Sequence, residues 1–314
     1  MREQYQKGIS WMRFSMNDEI YEKYKLAGKI AAEAREYGAG LIKPGMSYLE
    51  VVNSIESKIL EDGAGLAFPV NISVNEIAAH YSPSHSDKLV FKKGDVVKLD
   101  IGAHIDGYIG DTAVTVEVET SDYEDLIIAS SDALDAAIDL MRAGVDLIEI
   151  GKAVEETIVS FGYKPIDNLT GHSMQRYILH AGISVPSVQK KTHNAKPKAG
   201  DVLAIEPFAT NGAGHVISGD GSNIYLCKNT FNPRLIRDKR IKIMFSQMKN
   251  KFKTLPFAQR WFEKLFSNSD ITLRKLTFLG LIKHYPQLID AKKGIVTQKE
   301  HTVILTNDGC EVIT

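Results

Sequence analysis

A pattern of turn, helix cap, apolar face and terminating glycine occurs twice in this chain, about a hundred residues apart. Pro44-Gly45 makes a turn, Ser47-Tyr48-Leu49-Glu50 has the form of a capping box, and the helix it predicts ends near Gly63. Later, Ala143-Gly144 turns the chain and Asp146-Leu147-Ile148-Glu149 opens another helix. Gly45, Glu50, Val51, Ile55, Ile59 and Gly63 align at constant offset with Gly144, Glu149, Ile150, Val154, Ile158 and Gly162. A longer helix precedes each. The first runs from about Met16 to Tyr37, with Ile20, Tyr24, Ala27, Ala31 and Ala34 on one stripe and Gly38 and Gly40 fraying its end. The second runs from the box Ser121-Asp122-Tyr123-Glu124 to about Met141. The matched set predicts an internal duplication, hence two αβ halves related by a pseudo-two-fold with helices outside a shared sheet. Two ordinary helical hairpins are the alternative.

Strands are expected after each helix pair. Val96–Ile101 and Ala113–Val116 flank Asp106-Gly107, a favoured two-residue hairpin turn because both positions tolerate positive φ. Asp201–Ile205 and Thr302–Leu305 read as later strands, and the glycine-rich stretch Asn211–Gly221 as a turn. Between about 231 and 282 the strand signals vanish and helices are expected over Leu235–Met248, Pro256–Phe266 and Ile271–Leu281. From Phe231 to Phe266 there are ten Lys or Arg and two acids, so a basic helical insertion interrupts an otherwise single domain of residues 1–314.

Composition narrows the class. Lys plus Arg number 38 against 39 Asp plus Glu, so whole-chain charge gives no reason to expect nucleic acid or membrane binding. The two cysteines, Cys227 and Cys310, form no disulfide framework and no thiolate zinc site. No apolar run approaches the ~18–20 residues of a membrane span, and the first residues have no signal-peptide core. A cytoplasmic protein is expected. Residues 1–16 show no clear period, and Met16 is an alternative start.

The hairpin brings two acids together. With Asp106-Gly107 as the loop, Ile105 pairs with Tyr108 and Asp111 sits opposite Gly102, two residues from Asp100 on the same face. Asp100 and Asp111 then become diagonal neighbours, roughly 7–8 Å apart at Cα. Two aspartates on a covered sheet face repel unless a hard cation lies between them, and Gly102 leaves room for one. An edge or surface position is the other reading of a strand Asp, but Val97, Leu99, Ile101, Ala113 and Val114 point to a covered sheet. Glu206 closes an apolar strand before Pro207, and Glu300 begins another; alone, each is ambiguous. His172 follows Thr170-Gly171, and His80 and His180 fall near equivalent places in the two repeats, aimed at one cleft. Individually a histidine is more often structural than a ligand. His85, His104, His193, His215, His284 and His301 are read as structural or surface.

Taken together, GLAFPVNISVNEIAAHYSP, VVKLDIGAHIDGYIGDTAVTV, GHSMQRYILHAG, AIEPFATNGAG, HYPQL and QKEHTVIL resemble the type 2 methionine aminopeptidases in their archaeal form, over nearly the whole chain from about residue 17. The resemblance implies the pita-bread fold: two pseudo-two-fold-related αβ halves with helices outside a curved, mainly antiparallel sheet, plus the insertion that marks type 2. It implies removal of initiator methionine from nascent proteins and peptides, with preference for a small second residue. It implies two divalent ions (Co, Mn, Fe or Zn), with Asp111 and Glu300 bridging them, Asp100 on one, and His172 with Glu206 on the other. His80 and His180 match substrate-contacting histidines, Phe68 and Tyr285 match the methionine pocket, and Glu206 is assigned as general base. The departures are a short basic lead before the matched region and His215 in the turn after the Glu206 strand. Nascent N-termini are the expected partner of what is expected to be a monomer. The basic insertion, through Arg237, Lys239, Arg240 and Lys242, suggests a contact with the ribosome. A prolidase-like or X-Pro aminopeptidase would keep the fold but usually carries a further N-terminal domain, for which this length leaves no room. A non-catalytic ribosome-binding relative would have lost ligands that this chain keeps.

Overall fold

The computed structural model describes residues 16–190, 196–228, 238–266 and 269–314. The region before Met16, His193 and Arg237 lie outside them. The chain opens with α1 (Asp18–Leu41) and α2 (Tyr48–Glu61), followed by β1 (Gly65–Leu66), β2 (Asn71–Val74), β3 (Ile77–Ala79) and the long hairpin of β4 (Val96–Ile105) and β5 (Tyr108–Glu117). A second helix pair, α3 (Glu124–Leu140) and α4 (Leu147–Ser160), precedes β6 (Lys164–Pro165), β7 (Thr170–Met174), β8 (Ser184–Pro186), β9 (Val202–Ile205), β10 (Phe208–Thr210) and β11 (Val216–Cys227). Then come α5 (Lys239–Phe252), β12 (Phe257–Ala258), α6 (Gln259–Glu263) and α7 (Ser269–Phe278). The chain finishes with β13 (Ile282–Asp290), β14 (Val296–Gln298), β15 (His301–Leu305) and β16 (Cys310–Val312).

The duplication is visible in the packing. Val51, Ile55 and Ile59 of α2 are buried, and so are Ile150, Val154 and Ile158 of α4. Gly45, Gly63, Gly144 and Gly162 all adopt positive φ, between 76° and 86°, as the turn and cap positions require. The correspondence extends into the longer helices at the same offset. Ala27, Ile30, Ala31 and Ala34 of α1 match Leu126, Ala129, Ser130 and Ala133 of α3, and all are buried. Each helix pair covers its own apolar core, one over the β4–β5 hairpin and the other over β9 and β15. Every strand pairing among the described residues is antiparallel. The sheets run β1-β4-β2 with β5 on β4, β16-β15-β9-β7-β8, β14-β10-β6 and β12-β11-β13-β3. This is the α/β architecture of helices outside antiparallel sheet that the repeat predicts. No helix among the described residues is long and apolar enough to cross a membrane.

Several local expectations change. Helix α1 does not fray at Gly38; it continues through Gly40 to Leu41. Gly38 is there for packing, since a Cβ at that position would lie 2.5 Å from Ile55 Cδ1 and 2.9 Å from Leu99 Cδ2. Ser47 stands at the N-cap of α2 but its hydroxyl makes no capping bond, and Ser121 lies two residues ahead of Tyr123, the N-cap of α3. The amide of Tyr48 is taken by the Leu89 carbonyl, and the Glu117 carboxylate accepts the amides of Asp122 and Tyr123 ahead of α3. By contrast, Asp146 does cap α4, accepting from Ile148 N–H at 3.0 Å. The glycine-rich turn is shorter than expected, because from Val216 onward the chain is strand β11, irregular around Gly221 and paired with β13. In the basic region, Phe257–Ala258 pairs with β11, leaving α6 five residues long. The helices there pack on a third apolar core that includes Phe245, Met248, Phe257, Phe262 and Leu276.

Gly38→Val forces a branched side chain between Ile55 and Leu99. It is expected to lower stability by about 1–3 kcal/mol, read as a lower urea midpoint at unchanged slope. A wild-type midpoint would mean that α1 moves aside freely.

Candidate active site

The hairpin register is the predicted one: Ile105 pairs with Tyr108, Gly102 with Asp111 and Asp100 with Ala113. Residues opposite each other in a ladder share a face, so one row can be followed across the sheets. Asn71 lies opposite Asp100, Asp100 opposite Ala113, and Ala113 bridges to Glu300. Continuing the β9–β15 register by one residue, from the pair Ile205 and His301, sets Glu206 opposite Glu300. Asp111 is diagonal to Asp100 in this row, and His172, opposite Ala204, is diagonal to Glu206. Each half thus supplies a diagonal pair, and Glu300 stands where the halves meet.

All five side chains line one cavity that opens to solvent, together with Phe68, Asn71, Ala79, His80, Leu179, His180, Ile224, Pro256 and Tyr285. His172 Nε2 lies 3.6 Å from Glu206 Oε1 and 3.8 Å from Asp111 Oδ2. Ligand atoms of Asp111, His172 and Glu300 fall within 4.8 Å of one another. The His172 and His180 rings are 4.3 Å apart, and the His80 ring meets Tyr285 edge-on at 5.3 Å. The histidines read as structural behave differently. His215 pairs with Asp167 at the surface, His284 stacks on Tyr225, and His104 accepts the Gly107 amide within its own hairpin.

One geometric expectation fails. Gly102 does not leave room for a cation, because the Phe68 ring fills that space, 2.2 Å from where a Cβ would be. Gly102 makes way for the wall of the cavity instead.

The electrostatics are those of like charges gathered together. Asp111 and Glu300 are buried and Asp100 and Glu206 partly so, while no Lys or Arg lines the cavity among the described residues. Burial pushes the Asp100 carboxyl up to about 7. Burial, with repulsion from Asp100 and Glu206, holds Asp111 well above the ordinary range. Burial, then Asp100, does the same to Glu206. For Glu300 burial leads, then repulsion from the other three carboxylates, with Arg35 behind the sheet opposing. Burial drives His172 down to about 3 and His80 to about 4, so both imidazoles are neutral and free to act as ligand or hydrogen-bonding group. Asp100 Oδ1 and Asp111 Oδ1 are shut away from water with no hydrogen-bond partner. Unpartnered buried carboxylate oxygens are expensive, and four carboxylates with one imidazole are the donor set of a hard to borderline divalent cation. The residues fit a metal.

Sequence reasoning passed over Gln298 and Asn71. Gln298 is 2% exposed and donates from Nε2 to Glu300 Oε2 at 3.3 Å and Glu206 Oε2 at 3.5 Å. Strand parity contained the signal, since Gln298 is two residues from Glu300. Pro256, ahead of α6, brings the basic helical region to the cavity wall.

Residues 22–235 match the metallopeptidase family M24. A methionine aminopeptidase of Pyrococcus abyssi is 46% identical over 290 residues, covering 92% of this chain and 97% of the relative. One from Methanocaldococcus jannaschii is 47% identical over 299 residues, covering 95% and 100%. Among solved structures, a thermophilic Arx1 superposes with TM-score 0.81 at 17% identity, covering 95% of this chain and 91% of that one. The methionine aminopeptidase of Thermotoga maritima gives TM-score 0.69 at 23% identity, covering 96% and 99%. At these identities the two structures speak for the fold alone.

The shifts have a consequence for the cation-free protein. The four carboxylates bind protons more tightly folded than unfolded, so their contribution to stability is complete below about pH 4 and is lost as pH rises through their folded values, near 7 for Asp100. His172 and His80 act in the opposite sense, but above their unfolded value of 6.5 their contribution no longer changes. Of the groups lining the cavity only the carboxylates act above neutrality, and theirs is the part that a bound cation cancels. In chelator, the melting temperature is expected to fall between about pH 7 and pH 8.5, and excess divalent cation is expected to abolish the fall. Scanning fluorimetry with and without EDTA measures both, and a chelated protein that melts higher at the upper pH would contradict the reading.

Proposed function

The chain belongs to metallopeptidase family M24, and on that premise we propose that it removes N-terminal methionine from nascent proteins and peptides, favouring a small second residue. The observation that carries the reading is the row of carboxylates and imidazole held on one face where the two halves meet, with an apolar slot beside it. Asp100, Asp111, His172, Glu206 and Glu300 would hold a pair of divalent ions drawn from Co, Mn, Fe and Zn. When bound, such ions neutralise the carboxylates, polarise the scissile carbonyl and lower the pKa of water.

The protein side chains do the rest. Glu206, partly exposed to the cavity, takes the proton of the attacking water and passes it to the departing nitrogen, which makes the amine a viable leaving group. Neutral His80 and His180, one from each half, hydrogen-bond the substrate at the carbonyl, where negative charge develops. Phe68 and Tyr285, with Leu179, Ile224 and Pro256, form a slot that suits an unbranched thioether side chain and gives a charged one no partner. Gln298 keeps the Glu206 and Glu300 carboxylates oriented across the strands.

Asp100→Asn and Glu300→Ala are expected to lower hydrolysis of Met-Ala-Ser by at least about 100-fold while the circular dichroism spectrum stays native. Full activity in either would sink the assignment. Metal-replete wild type should cleave Met-Ala-Ser and lose that activity in chelator, whereas preferential cleavage of X-Pro peptides would favour the prolidase-like reading.

The basic insertion is proposed to place the enzyme, as a monomer, near emerging N-termini at the ribosome. Lys239, Arg240 and Lys242 are exposed on α5; Arg237 lies outside the described residues. Reversing the three exposed charges should weaken cosedimentation with ribosomes in a salt-dependent manner, and unchanged binding would reject this use of the patch.

A further inference from the structure

One buried ion pair ties the basic helical region to the walls of the slot. Arg260 of α6 is 2% exposed, and its guanidinium reaches across to Glu56 of α2, itself 6% exposed. Trp261 Nε1 donates to the second carboxylate oxygen at 2.8 Å. Neither charge ends there. Glu56 Oε1 also accepts the Val70 amide at 3.3 Å, while Arg260 Nη1 donates to Ser82 Oγ at 2.7 Å and to the Pro83 carbonyl at 3.1 Å. The Ser82 hydroxyl donates in turn to the Val70 carbonyl at 2.7 Å. Val70 is therefore held by both of its main-chain groups, two residues beyond Phe68, and Ser82 is held two residues beyond His80. From Ser82 the network continues to the third wall. The Ser82 amide donates to the Ser222 carbonyl at 3.1 Å, Asn223 Nδ2 donates to the Ser82 carbonyl at 2.9 Å, and the Ser222 hydroxyl donates to the carbonyl of Tyr285.

We propose that the Glu56–Arg260 pair is a strut that sets the separation of Phe68 from His80 and Tyr285, making Arg260 a positioning residue for substrate selection. It lies outside the lining of the cavity and acts through the segments it grips. Stability alone explains such a pair poorly, since apolar residues of equal volume often serve a buried site as well or better. A planar guanidinium with donors in a fixed fork does something an apolar contact does not: it holds two segments in a defined relative position. The fork grips Glu56 and Ser82 directly, Val70 is held by those two, and the Ser222 and Tyr285 segments are reached through Ser82. The inference rests on the reading of the cavity as a slot for an N-terminal methionine.

The test compares wild type with the double variant Glu56→Gln/Arg260→Met, which leaves no isolated buried charge, and with Arg260→Lys, which keeps the charge and loses the fork. Metal-replete enzymes are assayed on Met-Ala-Ser and Leu-Ala-Ser, metal affinity is measured by calorimetry, and crystal structures are compared. In both variants the strut predicts a kcat/KM for Met-Ala-Ser lowered roughly tenfold, and a Met-over-Leu preference reduced about tenfold. It also predicts unchanged metal affinity and a change of at least about 0.5 Å in the Phe68–His80 separation. A preference and a separation both equal to wild type would overturn it, even with a lowered melting temperature, because the pair would then be structural only. Should the double variant fail to fold, Arg260→Lys decides by the same readings. A wild-type enzyme inert toward Met-Ala-Ser would refute the methionine reading, and the crystallographic separation would still decide the strut.

Discussion

The seam between β5 and the segment entering β15 is the constraint on which the rest depends. There the two halves are joined by the Ala113–Glu300 bridge, with main-chain bonds of 3.1 and 3.3 Å. Threonines staple it on either side. The Thr302 hydroxyl donates to the Asp111 carbonyl at 2.8 Å and accepts the Asp111 amide at 2.9 Å. The Thr115 hydroxyl does the same for the carbonyl and amide of Gln298, and Thr112 donates to the Glu300 carbonyl. Each bond is worth only about 1 kcal/mol net, but together they leave the register no freedom. A slip of one residue would turn Asp111 or Glu300 to the opposite face. Behind the seam, Arg35 of α1 donates to Thr112, so the first helix of the fold also braces the joint.

That rigidity is what allows so much like charge in one place. Four carboxylates facing one cavity repel and are partly desolvated, and their raised pKa values express the cost. The fold tolerates the arrangement because the strands are held by bonds that do not involve the carboxylates themselves. The unpartnered oxygens of Asp100 and Asp111 are then donors positioned for a cation, and neutral His172 completes the set without adding charge. Desolvation lowers His172, which keeps its imidazole free to ligate at neutral pH, and raises the acids, so that a cation binding there displaces protons.

The basic helical region plays a different part from the two halves. It carries its own apolar core, yet it reaches the cavity through Pro256 and reaches the slot-bearing segments through Arg260. Its exposed face and its buried anchor are thus free to serve separate ends, one toward the surroundings and one toward the site.

Much of this was legible in the chain itself. Helical period, terminal glycines and their constant offset determined the two helix pairs, because capping and amphipathic burial are local rules that act within one or two turns. The Asp106-Gly107 loop determined the register of its hairpin, and with it the facing of Asp100 and Asp111, since side-chain direction alternates with a period of two. Tertiary structure alone decided what those rules do not reach. That Gly38 serves a helix contact and Gly102 a phenyl ring depends on partners far away in sequence. That Glu206 and Glu300 stand opposite each other depends on strands nearly a hundred residues apart, and Gln298 enters the site only because that pairing exists. The strut joining Glu56, Arg260 and Ser82 lies beyond any local reading for the same reason: its meaning is a distance between segments, and only the closed fold fixes that distance.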